Sequence, residues 1–231
     1  MTREILESDV YKELETVQNP PLVYPDCAAE AEPATLSMAR RSVPEATSMD
    51  EANQILRGNW LKRIQQHSEQ HSGGRAIRDI LDIGCSVGIS TRYLAETFPL
   101  AKVTGLDLSP YFLSVAQFKG KEDPPRAKPI RWTHANGEET GLPSNSFDLV
   151  SISLVLHELP RTATVNMMKE SFRLLRPGGT LAIIDQASTE PFLDEYYMIN
   201  FEETVRETGF VNVTSTLSDA RHRTLTATVP F

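Results

Sequence analysis

The sequence predicts an α/β protein built on a doubly wound, largely parallel sheet. Three observations predict it. Short apolar runs alternate with stretches of helical periodicity from Ile80 to Asp185. Two of those runs close on aspartates, Asp82 and Asp107, 25 residues apart, a normal length for one strand–helix–strand step. The run Ile80 to Ile83 breaks at Gly84 into a tight loop before a helix. Such a turn points backbone N–H groups outward and, where glycine lacks a Cβ, admits a close approach.

The outer bounds come from composition. A chain of 231 residues, 40% hydrophobic, buries one good core. The balance of 31 acidic to 23 basic residues, net −8, argues against a nucleic-acid or anionic-membrane partner, because phosphate binding needs a basic face. Two cysteines, Cys27 and Cys85, make no disulfide framework and fit a reducing compartment. No apolar run approaches the roughly 20 residues that span a bilayer, and the start, MTREILESDVYKELE, has no signal-peptide core and no transit-peptide composition. Oligomeric state is left open.

Residues 1–47 read as a helical and irregular N-terminal extension, a lid or a disordered tail. It holds a helix over Thr2 to Val17, a segment broken by Pro20, Pro21 and Pro25, and a weak helix from Glu30 to Arg41. Residues 48–231 form the main domain. Ser48-Met49-Asp50-Glu51 is a capping box that opens a helix with Leu56, Trp60 and Ile64 on one face. Gln65 to Gly74 is polar and reads as a loop. His67 and His71 stand there at metal-ligand spacing but lack a third ligand, so a solvated helix end is expected and no metal. After the loop at Gly84, a helix ending at Pro99 places Ile89, Tyr93 and Phe98 on one face. Lys102 to Leu106 is the second strand. Ser109 then caps a helix with Pro110 at its first position, turning Phe112, Val115 and Ala116 inward.

Pro129 to His134 is the third strand, and Ser146 to Leu156 contains the fourth. His157 and Glu158 stand at its C-terminal end, where open α/β sheets place ligands. A helix from Ala163 to Leu175 buries Val165, Met168, Phe172 and Leu175. Pro177-Gly178-Gly179 then turns into a fifth strand ending at Asp185. A helix near Phe201 to Thr208, closed by Gly209, precedes two β-rich runs, Val211 to Leu217 and Thr224 to Val229. Their short polar connection predicts an antiparallel hairpin. The total is a Rossmann-like, seven-stranded sheet over about residues 75–231, parallel but for one antiparallel C-terminal strand.

The segment D-x-G-x-S-x-G from Asp82 to Gly88 resembles motif I of the class I S-adenosylmethionine-dependent methyltransferases, with Ser86 in place of the usual middle glycine. FDLVSISLVLHELP, and RPGG before an apolar strand, resemble later motifs of the same family. The resemblance implies S-adenosyl-L-methionine as cofactor and a small-molecule methyl acceptor. It sets Asp82 toward the amino-acid end of the cofactor, Gly84 and Gly88 along its sugar and methionine part, Asp107 at the ribose diol and Asn136 at the adenine amino group. It also carries cofactor contact onto Cys85, Ser86, Leu108, Gly137 and Glu138. His157, Glu158, Tyr196 and Tyr197 are the candidates for catalysis on the acceptor.

The stretches around Tyr24, EPATLSMARRSVPEA, LDIGCSVGISTRYL, ANGEETGLP and STEPFLDEYY are similar to a plant and algal group of plastid methyltransferase-like proteins. That similarity implies a plastid location, with the cytoplasm as the alternative. Relative to the group, the passages after Tyr24 and before Ser188 look shortened. Three readings follow. An active small-molecule methyltransferase is favoured over a cofactor-binding, catalytically weak relative with a shortened acceptor lid. A NAD-linked oxidoreductase is distant, because the loop lacks the third glycine of the G-x-G-x-x-G fingerprint.

Overall fold

The computed structural model describes residues 40, 43–121, 123, 125–187 and 198–231. The expected helices at Thr2 to Val17 and Glu30 to Arg41, the passage after Tyr24 and the STEPFLDEYY segment lie outside them.

A long helix, α1 (Met49–His71), leads into the sheet. There follow β1 (Asp79–Ile83), α2 (Ile89–Thr97), β2 (Lys102–Asp107), α3 (Pro110–Lys119), β3 (Arg131–His134) and β4 (Phe147–Ser153). A 3-10 turn at Leu156–Glu158 precedes α4 (Arg161–Leu174), β5 (Leu175–Gln186), α5 (Phe201–Thr208), β6 (Val211–Leu217) and β7 (His222–Thr228). The sheet order is β3-β2-β1-β4-β5-β7-β6. The first five strands are mutually parallel, and β7 runs antiparallel to both β5 and β6. This is the expected seven-stranded sheet. Chain order reverses between β1 and β4, so the crevice above their carboxyl ends is the ligand position for an open α/β sheet.

The core lies in two layers. On one face Leu81, Ile83, Val150, Ile152, Met168, Leu181 and Leu225 pack together under α4 and α5. On the other, Ile80, Val103, Leu149 and Ile184 pack against Trp60, Leu61 and Ile64 of α1 and Leu94 of α2. Alternate residues of each central strand feed opposite layers, as the pleat requires.

Several local expectations shift. Ser48 Oγ accepts from Glu51 N–H at 3.1 Å, but the Glu51 carboxylate accepts from Thr47 N–H and Oγ, not from the Ser48 amide. Helix α1 continues through the expected loop to His71. His67 is buried rather than solvated: its Nε2 lies 2.8 Å from Thr228 Oγ1 and its Nδ1 2.9 Å from Thr226 Oγ1 on β7. Those two hydroxyls satisfy the ring and let a polar residue extend the helix across the sheet. Phe112, expected inside, is 46% exposed, because Leu113 and Ser114 face the core with Val115 and Ala116. On α4, Val165 and Phe172 are only half-buried, while Met167 and Leu174 fill the interior. No helix among the described residues is long and apolar enough to cross a membrane.

Candidate functional site

The site begins with a buried carboxylate. Asp82 is fully enclosed and accepts from Ser90 Oγ and Thr91 Oγ1, both at 2.7 Å, and from Ser151 Oγ at 2.6 Å. Burial pushes its carboxyl upward, and the three hydroxyls oppose that shift. A buried carboxylate needs such donors, and two of them come from α2. They rotate Ser90 and Thr91 inward together with Leu94 and Ala95, which leaves Ile89 38% exposed. The expected apolar face of α2 through Ile89 is therefore overturned by Asp82. The Asp82 carboxylate ties β1 to α2 and to β4.

The loop between them takes positive φ at Gly84 (71°), Ser86 (49°) and Gly88 (82°). A Cβ at Gly84 would lie 2.5 Å from the Val155 side chain, and one at Gly88 2.4 Å from Trp132. Packing within the protein already demands both glycines. Arg92 braces the loop from outside, donating to Val87 O, Gly88 O and Ala116 O and pairing with Asp123 at 2.9 Å. Its guanidinium sits over Trp132 at 5.7 Å from the ring centre. Cys85 is buried, and burial with the nearby Asp82 and Asp107 carboxylates drives its thiol up, so it is an inert packing group.

Asp107, at the end of β2, closes the loop across the crevice. Its Oδ2 accepts from Ser86 N–H and its Oδ1 from Ser109 N–H, each at 2.8 Å. Each oxygen retains a lone pair for a vicinal diol. Leu108, 66% exposed, places apolar surface next to that carboxylate. Asn136 is exposed and its Oδ1 accepts from Glu138 N–H at 3.0 Å, which fixes the turn after β3. Gly137 turns into the core against Ile83 and Met167, and the Glu138 carboxylate accepts from Asn166 Nδ2 at 3.0 Å. Of that triplet, Asn136 alone stands open on the surface. Asp107, Leu108, Asn136 and the Gly84–Gly88 loop thus lie together at the ends of β1, β2 and β3.

A second group gathers at the end of β5. Asp185, which the sequence placed only as a strand end, is buried and its carboxylate accepts four bonds. The donors are Val155 N–H (3.2 Å), Leu156 N–H (2.7 Å), Gln186 N–H (2.8 Å) and His157 Nδ1 (2.6 Å). Just before this corner, Leu154 takes a positive φ of 59°, a costly conformation for a bulky side chain. Burial alone would lower the His157 pKa, but Asp185 and, more weakly, Glu158 raise it above 6.5. Glu158 Oε1 lies 3.8 Å from His157 Nε2. Beside the corner a cavity of about 240 Å³ opens between β5, β7 and α5, with Leu156, Ile183 and Leu225 among its apolar walls. Tyr196 and Tyr197 lie outside the described residues.

Comparison with known proteins agrees with this geometry. Residues 81–183 match the methyltransferase domain family. The demethylmenaquinone methyltransferase of Listeria welshimeri is 33% identical over 143 residues, 60% of this chain and 57% of that protein. One from Staphylococcus aureus is 30% identical over 145 residues, 62% of this chain and 56% of that protein. The alignments thus span little more than half the length of these curated relatives. Among solved structures, the CurJ carbon methyltransferase superposes with a TM-score of 0.62 at 17% identity, over 95% of this chain and 71% of that one. Phosphoethanolamine N-methyltransferase 2 of Haemonchus contortus, solved with S-adenosyl-L-methionine, gives 0.58 at 18% identity, over 77% and 57%. Residues 81–183 thus match a methyltransferase domain, and the strand order and the fold of the solved structures agree with that match.

Proposed function

We propose that this protein binds S-adenosyl-L-methionine over the β1 and β2 ends and methylates a small-molecule acceptor delivered from the β4–β5 side. The observation that carries the reading is the closure of the Gly84–Gly88 loop onto Asp107 through the Ser86 N–H, at the point where strand order reverses. Such a crevice takes a nucleoside at the strand ends. When bound, the cofactor supplies an activated methyl group on a sulfonium centre. The chain's own work is to orient the acceptor in line and to exclude water. The relatives named for demethylmenaquinone support an acceptor with apolar ring character. Membership of the plant and algal plastid group, and a plastid location with it, are proposed on the sequence stretches quoted above.

Calorimetry with S-adenosylmethionine, S-adenosylhomocysteine and NADH tests this directly. The first two should bind and NADH should not. Asp107→Ala should weaken S-adenosylhomocysteine binding by about 1.5–3 kcal/mol, roughly ten- to a hundredfold. An unchanged dissociation constant in that variant would remove Asp107 from the site.

A further inference from the structure

Helix α1 carries a cation into the interior. Arg57 is only 8% exposed, and its guanidinium reaches α2, 5.9 Å from the centre of the Tyr93 ring. Its Nη1 donates to Asn53 Oδ1 one helical turn back, and its Nε is enclosed with no acceptor. Among the described residues no carboxylate forms an ion pair with it. Burial lowers the guanidinium pKa, and Tyr93 and then the nearby Asp82 carboxylate oppose that shift. Asp82 does not complete the pairing, because Ser90, Thr91 and Ser151 already bond its oxygens. An arginine stays protonated even so, and a buried guanidinium short of acceptors is costly until an anion completes it. A second polar group at the same end of the sheet is also unfilled. Ser153, two residues beyond Ser151 and hence on the same face of β4, has its hydroxyl enclosed without a partner.

We propose that Arg57 receives the carboxylate at the amino-acid end of the cofactor, so that α1, which precedes residues 81–183, supplies a specificity-determining residue. The inference rests on the methyltransferase reading above and deepens it. Sheet order says which part of the ligand arrives there. A nucleoside with its ribose at Asp107 on β2 and its base toward Asn136 after β3 directs its 5′ substituent over β1, about 5 Å further on. Arg57 lies close enough to Asp82, near the end of β1, for their charges to interact. In S-adenosylmethionine the 5′ substituent ends in an α-ammonium and an α-carboxylate. That carboxylate would otherwise enter beside Asp82 and Asp107 in a chain of net charge −8. Arg57 turns the repulsion into attraction, and a guanidinium can offer two parallel N–H bonds to one carboxylate. The bond to Asn53 and the face of Tyr93 set its orientation before the ligand arrives.

Three ligands that share the nucleoside test this by calorimetry on the full chain. They are S-adenosylhomocysteine, S-adenosyl-3-thiopropylamine, which lacks only the carboxylate, and 5′-methylthioadenosine, which lacks the whole amino-acid end. The parent chain should bind S-adenosylhomocysteine about ten- to a hundredfold more tightly than the thiopropylamine. Arg57→Met keeps an apolar stem, and in it that ratio should collapse to about twofold or less while 5′-methylthioadenosine binds as in the parent. A purely structural arginine gives a different result: all three ligands weaken by one factor and the ratio stays, which overturns the assignment. Equal affinity of the parent chain for S-adenosylhomocysteine and the thiopropylamine overturns it as well. Should Arg57→Met fail to fold, side-chain NMR of the parent chain replaces it. The Arg57 Nε–H signal, identified by its absence in Arg57→Lys, should shift with S-adenosylhomocysteine and stay in place with 5′-methylthioadenosine. No shift with the first, or an equal shift with both, overturns the assignment. A parent chain that binds none of the three ligands overturns the proposed function itself, so the two failures are told apart.

Discussion

The two sides of the crevice are built by different means. On the β1–β2 side most parts are close in sequence: Asp82 takes donors from Ser90 and Thr91, with Ser151 of β4 the one distant donor, and the loop from Gly84 to Gly88 folds onto Asp107 one strand–helix–strand step later. On the β4–β5 side they are far apart. His157 meets Asp185 across 28 residues, and the cavity draws Leu156 and Leu225 from opposite ends of the domain's second half. The first side is a motif, held rigid by one turn of chain. The second is a product of tertiary packing, in which strands β5 and β7 must pair before the cavity exists. One side can therefore be preserved while the other is reshaped, which is what a fold with one cofactor and many acceptors needs.

The sharpest way to break this contrast is at Gly84. If the glycine serves only a ligand, Gly84→Val should fold normally and lose cofactor affinity. The packing predicts otherwise. A branched side chain meets Val155 and must hold φ near 71°, so overpacking and backbone strain together should cost about 2–5 kcal/mol of stability. The milder Gly84→Ala should be partly rescued by Val155→Ala, by about 1–2 kcal/mol, since the steric part disappears and the backbone part stays. Urea unfolding of the four-member cycle measures it. Strictly additive effects would mean that the motif I loop and the β4 corner are independent.

Next in size is Asp185→Ala. It leaves the Val155 and Leu156 N–H groups without their acceptor, and the loss should be about 2–4 kcal/mol by denaturant unfolding. The sign of the pH effect follows from His157. A folded pKa raised above 6.5 stabilises the protein below that pH, and the gain is lost as pH rises through the folded value. Without Asp185 the His157 titration, followed by NMR, should move down. S-adenosylhomocysteine binding should change far less than stability does. A loss of cofactor affinity as large as the loss of stability would show that the two sides are not separable.

This contrast also explains what could be read from residues alone. The alternation of strand and helix, the motif I turn and the strand end at Asp107 are local patterns, and local patterns survive into the fold. The apolar face of α2 was misread because helical periodicity weighs Ile89 and Phe98 and knows nothing of a buried carboxylate on β1. The demand of Asp82 for donors outranks the burial of one isoleucine. His67 was misread as solvated for a related reason: its partners, Thr226 and Thr228, lie about 160 residues away on the last strand. Trp132 and Arg92 carry no sequence signal, since only the structure brings them against the glycine loop. Asp185 carried a weak one, an acid at a strand end, but its four donors come from two separate segments.

His67 offers a third probe of the contrast, because it pins the β7 side through α1. Burial, with the neighbouring His71 charge, lowers its pKa to about 4 against 6.5 for a free histidine. A histidine buried neutral must be protonated in the unfolded chain first, so its contribution is complete above pH 6.5 and is lost as pH falls toward 4. The loss should reach about 1–3 kcal/mol. Hydrogen exchange at pH 5 should loosen β7 before β1 and β2. Uniform loosening of the whole sheet would assign the effect elsewhere.

The smallest expected effect falls on the loop itself. Ser86 stands where the family's usual pattern has glycine, and its φ of 49° is one that a side chain enters at some expense. Ser86→Gly should relieve this and stabilise the fold by about 1 kcal/mol or less, because the greater freedom of glycine in the unfolded chain offsets part of the gain. The bond that matters, from the Ser86 N–H to Asp107 Oδ2, belongs to the backbone and survives the substitution. Cofactor affinity should then stay within about twofold. A larger drop would assign the Ser86 hydroxyl to the cofactor. The middle position of the loop would then read its ligand through a side chain, and the local turn would no longer act through its backbone alone at the residue where this chain departs from the motif it resembles.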